Sequence, residues 1–402
     1  MLSTQEDYIL DSRGNIVDDV ANAISFISKH GVLSNAFQLN LMTNTIYVIK
    51  PLSESKSSGA KEYPRELTEE DNVFTQALMN KGGLKKISKQ TVYDAIAMNA
   101  GYHAVHPLRD ELTKLIWDKT PRLGKWLSTY MGTPDDPYHR GIGQMFLIAA
   151  VARIMEPGCK VDYILVLEGK QGVGKSSVCA IIGGEYFSDS LPNLSTGKEA
   201  SQHLAGRWII ELSELAATSK AETEQLKAFT TRRCEKYRPP YARTEVVQPR
   251  QCVFIGTTNK SAYLRDETGA RRFWPVKVGT VDLNALTTDR DQLLAEAMAL
   301  YDAGEDWFPD REFETKFIMP QQRERFEEDV WEEPVREYLI QLDPKIAYVG
   351  DILTQGLHVE TQKHNRADQN RVTAILLNLG WGRLKKDSKG NQPWGPEKLV
   401  HQ

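Results

Sequence analysis

LEGKQGVGKSSV, residues Leu167 to Val178, places three glycines, Lys175 and two serines directly after the apolar run Tyr163-Ile-Leu-Val-Leu167. Gly169-Lys-Gln-Gly-Val-Gly174-Lys175-Ser176 fits the pattern G-x-x-x-x-G-K-[ST], with a buried-strand pattern before it and a helical pattern after it. Glycines in such a loop let backbone N–H groups turn inward onto phosphate oxygens, and the helix that follows adds its positive dipole end. The expected lining is Gly169, Gln171, Gly172, Val173 and Gly174, with Lys175 reaching the outer phosphates, Ser176 ligating Mg²⁺ and Ser177 in the first helical turn. The glycine order is wrong for the dinucleotide pattern G-x-G-x-x-G, which disfavours that fold.

Outward from this loop, short apolar runs alternate with helical patterns. A long apolar helix over 138–156 ends at Pro157-Gly158, a helix follows the loop over Ser176–Ile182, and a strand is expected at Trp208–Leu212. A helix over Glu222–Phe229 and a strand over Cys252–Thr258 complete the alternation. Continuous apolar strands separated by helices predict an α/β fold with a mostly parallel sheet covered on both faces. Three regions are expected: a mainly helical N-terminal region at 1–135, the loop-bearing domain at 136–320, and a C-terminal unit at 321–402. In the last, helical Val335–Leu339 and Val372–Leu379 precede a basic hairpin pattern from Gly380 to Trp394, the outline of a winged helix. The seam before the central domain is placed at Thr133-Pro-Asp-Asp-Pro137, and the N-terminal region is a candidate oligomerisation collar.

The chain has 402 residues, 41% hydrophobic and 26% charged, and a mean hydropathy of −0.45, which describes a water-soluble globular protein. Its longest apolar stretch, Ile142–Ala152, is far short of the ~20 residues a bilayer span needs. No basic segment followed by an apolar one opens the chain, and its four cysteines are scattered without a C-x-x-C pair, so a cytoplasmic location is expected, without membrane contact. The net charge of −4 conceals two basic patches. Residues 227–250 carry seven basic and two acidic side chains, and residues 360–402 carry eight and four, which points to polyanion contacts at defined places.

A phosphate loop of this kind needs a further acid, usually at the end of another apolar strand. Glu211 and Glu214 stand at the end of the 208–212 strand; Glu211 is favoured on the metal and Glu214 as the base that polarises water, with the reverse assignment left open. The strand ending Thr257-Thr258-Asn259 places an amide where attacking water can be oriented. Arg271 and Arg272 follow shortly, and an arginine there can stabilise the transferring phosphoryl group in cis or from a neighbouring subunit.

These elements are compactly ordered, with Lys175 36 residues before Glu211 and Glu211 48 residues before Asn259. Together they resemble the superfamily 3 helicases, whose ATPase is a short variant of the AAA+ fold. More closely, the chain is similar to the virulence-associated protein E family of phage and mobile-element replication proteins. Carrying the likeness over about 105–310 are Trp117-Asp-Lys-Thr-Pro-Arg-Leu, Pro157-Gly-Cys-Lys-Val-Asp, Trp208-Ile-Ile-Glu-Leu-Ser-Glu-Leu, Leu226-Lys-Ala-Phe, Arg238-Pro-Pro-Tyr-Ala-Arg243 and Asp266-Glu-Thr-Gly-Ala-Arg-Arg-Phe-Trp-Pro. The resemblance implies ATP and Mg²⁺, a homo-oligomeric and hexameric ring, and a DNA-gripping hairpin between the acidic and sensor strands. That hairpin is the segment Arg232–Arg250, where Lys236, Arg238 and Arg243 would bind phosphates while Tyr237 and Tyr241 stack on bases. Lys227 is carried over as a sensor across a subunit interface. The acids of the second motif are three residues apart, where the family has them adjacent. Members are often fused to a primase; here a separate primase or initiator would be the partner, in a bacterial host cytoplasm.

The expected function is therefore an ATP-dependent DNA helicase acting on single-stranded or forked DNA. Two other readings fit the loop. A P-loop switch would bind ATP and DNA without unwinding, and would rely on the C-terminal unit in place of the basic hairpin. A small-molecule kinase gives no reason for either basic segment.

Overall fold

The computed structural model describes residues 8–52, 62–194, 197–213, 220–237, 245–264, 271–326, 329–388 and 390–396. The chain divides into two compact units, 1–325 and 326–402.

Among the described residues of the first unit, two apolar cores stand out. One joins α1 (Val20–Lys29), α2 (Glu69–Lys81) and α3 (Lys89–Tyr102) to a three-stranded antiparallel sheet of β1 (Phe37–Asn40), β2 (Thr45–Val48) and β3 (Arg65–Glu66). The Asp19 and Ser88 side chains accept from backbone N–H groups at the starts of α1 and α3, and Thr68 with Asp71 forms a reciprocal capping box at α2. Residues 107–131, grouped by sequence with the N-terminal region, contribute instead to the second core. Leu108 and Leu112 of α4 (Pro107–Lys114) and Trp126, Leu127, Tyr130 and Met131 of α5 (Trp126–Met131) pack there.

That second core surrounds a five-stranded sheet in the order β10-β4-β9-β6-β5, every pair parallel. Its strands are β4 (Ile164–Glu168), β5 (Phe187–Ser188), β6 (Ile209–Leu212), β9 (Val253–Thr258) and β10 (Phe273–Lys277). All five residues of β4 and all six of β9 are buried, the pattern of parallel strands covered on both faces. Among the covering helices is α6 (Pro137–Met155), capped by Asp136 with Pro137 in its first turn and buried on nearly every side beyond Ile142. The Trp208 indole donates to the Ala150 carbonyl at 2.8 Å and ties α6 to β6.

Between β6 and β9 the chain runs through α9 (Lys220–Thr230) into an antiparallel ribbon of β7 (Cys234–Tyr237) and β8 (Val246–Pro249). α7 (Lys175–Gly183) follows β4, and α8 (Lys198–His203) lies between β5 and β6.

In the second unit, the helices Glu332–Gln341 and Arg366–Asn378 pack around Trp381 and Trp394, with a short antiparallel pair of β11 (Trp381–Arg383) and β12 (Trp394–Pro396). Arg371 stacks over the Trp331 ring at 4.1 Å and pairs with Asp329 at 2.7 Å. No helix among the described residues is long and apolar enough to cross a membrane.

Candidate functional site

The loop after β4 is anchored beneath by a buried acid. Glu168 closes β4, 6% exposed, and accepts from Arg325 Nε at 2.9 Å and from the Tyr263 hydroxyl at 2.8 Å. The Gly169 N–H donates to the Thr258 carbonyl, so the loop starts from a fixed point beside β9. Gly172 and Gly174 then take φ of +80° and +102°, left-handed values that favour glycine and let the chain turn back into α7. α7 begins at Lys175 with no side-chain cap, so its first N–H groups have no side-chain acceptor.

Lys175 donates from Nζ to the carbonyls of Gly169 at 2.7 Å and Lys170 at 2.9 Å. Partial burial pushes its ammonium below the ordinary lysine value, while the charge of Glu211 opposes that shift. Ser176 Oγ donates to Glu211 Oε1 at 2.8 Å, and Thr257 Oγ1 donates to the same oxygen at 2.7 Å. Glu211 is 2% exposed, and its other oxygen, Oε2, is buried with no hydrogen-bond partner. A carboxylate so enclosed is costly unless its oxygens are paired. An oxygen left over beside a serine hydroxyl fits a divalent cation with hard oxygen ligands.

These groups line one cavity of about 410 Å³, bounded by Gln171, Gly172, Gly174, Lys175, Ser176, Ser177, Glu211, Ser213, Thr257, Thr258 and Asn259. The structure thus gathers most of the expected loop residues with Glu211 and Asn259. Gly169 and Val173 belong to the loop without lining this cavity. Glu214, Arg238, Tyr241 and Arg243 lie outside the described residues.

Three expectations change. Tyr237 cannot stack on a base, because it is 9% exposed and its hydroxyl donates to Gln248 Oε1 at 2.7 Å. On the ribbon, side chains alternate between faces, so Tyr237 shares the inward face with buried Glu235, and Lys236 points outward, exposed. Lys227 is 3% exposed in the single chain, so its side chain is buried where a sensor reaching a neighbouring subunit is expected to be presented. Arg271 and Arg272 precede β10, whose first residue Phe273 pairs with Ile164 at the start of β4. They therefore sit at the opposite end of the strands from their own loop, about 16 Å away at the usual rise of a strand. The cis role for either arginine is excluded.

Sequence reading missed Thr257 as a partner of Glu211, and Glu168 and Arg325 as the anchor of the loop. Thr257 carried a legible signal, since it stands two residues before Asn259 at a strand end and so on the same face.

The arrangement is that of an α/β protein with a glycine loop and an uncapped helix start at the C-terminal ends of parallel strands, beside a buried carboxylate oxygen without a partner. The virulence-associated protein E-like domain matches residues 112–327. The chain belongs to that family. No curated protein matches it. Among solved structures, the A form apo structure of the NrS-1 C-terminal region superposes with a TM-score of 0.51 at 13% identity, covering 91% of this chain and 97% of that one. An apo structure of the same region gives 0.48 at 17% identity, again over 91% and 97%.

Proposed function

We propose that the chain is a Mg-ATP-dependent DNA helicase motor serving replication of a phage or mobile element. The observation that carries the reading is the Ser176–Glu211–Thr257 cluster, with its buried and unpartnered Glu211 Oε2, at a cavity lined by the glycine loop and the start of α7. The sheet order β10-β4-β9-β6-β5, with the loop-bearing strand between β10 and β9, supports the AAA+ assignment. Family membership over residues 112–327 supports a replication role.

In this reading the loop N–H groups and Lys175 bind the outer phosphates, so Lys175 exchanges its two carbonyl acceptors for phosphate oxygens. Ser176 and Glu211 would hold Mg²⁺, and the ion would supply charge neutralisation for phosphoryl transfer. Asn259, at the cavity edge, orients water, and Glu214 takes its proton. Arg271 or Arg272 completes the site of a neighbouring subunit in a ring, which their position at the far end of the strands supports. The β7–β8 ribbon, emerging between the acidic and sensor strands, presents Lys236 to single-stranded DNA. In the C-terminal unit two helices followed by a strand pair, with basic Arg383, Lys385 and Lys386, support a winged-helix DNA contact.

The test is ATP hydrolysis with and without single-stranded DNA, and unwinding of a forked duplex. Wild type is expected to hydrolyse and unwind, and Lys175→Ala to do neither. Full DNA-stimulated hydrolysis by Lys175→Ala would sink the reading. A wild-type chain that hydrolyses ATP without unwinding, and whose DNA binding survives charge reversal at Arg238 and Arg243, would turn it toward the switch.

A further inference from the structure

We infer that Thr257 is the positioning residue of the cation site: its hydroxyl holds Glu211 in the one orientation that leaves Oε2 for the metal. The inference rests on the Mg-ATP reading above and goes beyond it by assigning a role to a residue of the sensor strand.

The geometry follows from strand register. β9 lies between β4 and β6, so Thr257 is a direct neighbour of Leu167 on one side and diagonal to Glu211 on the other, whose register partner is Ile255. Side chains two apart on a strand share a face, which puts Ile255, Thr257 and Glu211 on the same side of the sheet. Thr257 is 5% exposed on a wholly buried central strand and has a stiff β-branched side chain, so its hydroxyl has little freedom. Glu211, by contrast, has three side-chain torsions to fix and lines the cavity from β6, 2% exposed.

Two hydroxyls from different elements meet one carboxylate oxygen. Ser176 approaches from α7, an element that also has to bind phosphate and cation, while the Thr257 hydroxyl has one hydrogen bond among the described residues, to Oε1. The Thr257 bond, 2.7 Å and to a charged acceptor, is of the strong class. It is therefore the anchor that stays constant while Ser176 serves the metal. A carboxylate fixed before the cation arrives loses less side-chain freedom on binding it, and groups in this supporting role typically set metal affinity.

The experiment uses Mn²⁺ as a spectroscopic stand-in for Mg²⁺, titrated into the full chain with ADP and followed by electron paramagnetic resonance; ADP binding without metal is measured in parallel. Thr257→Val, which keeps shape and removes the hydroxyl, is expected to weaken Mn²⁺ binding by about 10-fold or more, a loss well beyond any change in metal-free ADP affinity. Thr257→Ser is expected to restore wild-type Mn²⁺ affinity. In a Glu211→Gln background the valine change is expected to add no further loss. Wild-type Mn²⁺ affinity in Thr257→Val, or a loss that adds in full to that of Glu211→Gln, overturns the inference while leaving the ATP reading intact. Failure of the wild-type chain to bind ADP and Mn²⁺ at all overturns both. Should Thr257→Val not fold, the serine variant alone decides, because a purely steric role predicts that losing the methyl weakens binding.

Discussion

Arg250 and Glu235 form an ion pair at the root of the β7–β8 ribbon with side chains 0% and 4% exposed. Arg250 also donates to the carbonyls of Phe229 and Thr230 and lies 4.8 Å over the Phe229 ring, while the Ser201 hydroxyl donates to Glu235 at 2.6 Å. The pair thus ties the ribbon to the end of α9 and to α8. Removing one partner strands a buried charge, so Arg250→Ala is expected to cost about 3–5 kcal/mol, read as a shift in the denaturant midpoint. Replacing both with apolar residues, as in Glu235→Leu with Arg250→Met, is expected to recover most of that loss. If the double variant is as unstable as the single one, stranding of the partner charge is not the cause.

Gly174 stands at φ +102° with only ordinary contacts around a built β-carbon, the nearest being Val281 at 3.6 Å. Substitution there is a conformational fault and not a clash. Gly174→Ala is expected to cost about 1–3 kcal/mol of stability. The larger effect is on ligand binding, since relieving the strain rotates N–H groups away from the cradle. Calorimetric titration with ADP checks it: affinity is expected to fall well beyond any change in melting temperature.

Lys236 and Tyr237 are neighbours in sequence with opposite fates on the ribbon, one exposed and one buried. Lys236→Glu is expected to weaken single-stranded DNA binding for every base composition and to reduce the salt slope by about 1. Tyr237→Phe removes the hydrogen bond to Gln248 and is expected to cost about 1 kcal/mol in stability with DNA affinity unchanged. Because phenylalanine keeps the ring, Tyr237→Leu is the variant that tests stacking: a loss of DNA affinity in folded Tyr237→Leu equal to that in Lys236→Glu would count against the burial of the ring as the controlling fact. Fluorescence anisotropy over a salt series distinguishes the two.

The parts of the site that were legible in the sequence are those whose chemistry is local. Gly169 to Ser176 is a single turn whose glycines and lysine act through the backbone they belong to. Glu211 could be placed because an acid directly after a run of apolar residues has few alternatives to a strand exit. Pairs brought together by the sheet were not legible: Thr257 meets Glu211 across 46 residues and Arg325 meets Glu168 across 157. Tyr237 was misread because aromatic residues beside lysines suggest a stacking surface, whereas the two-residue period of a ribbon hides every second one. The change of core before 107 escaped for a related reason. Leu108, Leu112 and Trp126 have the same helical spacing whether they pack on their own neighbours or on a distant sheet.

His106 links two parts of the first unit through both ring nitrogens. Its Nδ1 accepts the Arg109 N–H at 3.1 Å and caps α4, which leaves Nε2 to donate to Gln251 Oε1 at 3.1 Å, just ahead of β9. Burial, helped by the positive charge of Arg109, holds the imidazole below the ordinary histidine value of 6.5. Protonation would remove the acceptor that caps the helix, so the folded chain resists it more than the unfolded chain does. The sign follows: with the folded value depressed, the unfolded state binds more protons as pH falls, and stability is lost. His106 therefore contributes fully above its unfolded value, and its contribution declines as pH drops below 6.5 toward the depressed folded value. Urea unfolding at about pH 7.5 and about pH 5 is expected to show a loss of stability in wild type. His106→Asn keeps a cap without a titrating group and is expected to lose less between the same two conditions. An equal loss in both proteins would remove His106 as a source of the pH dependence.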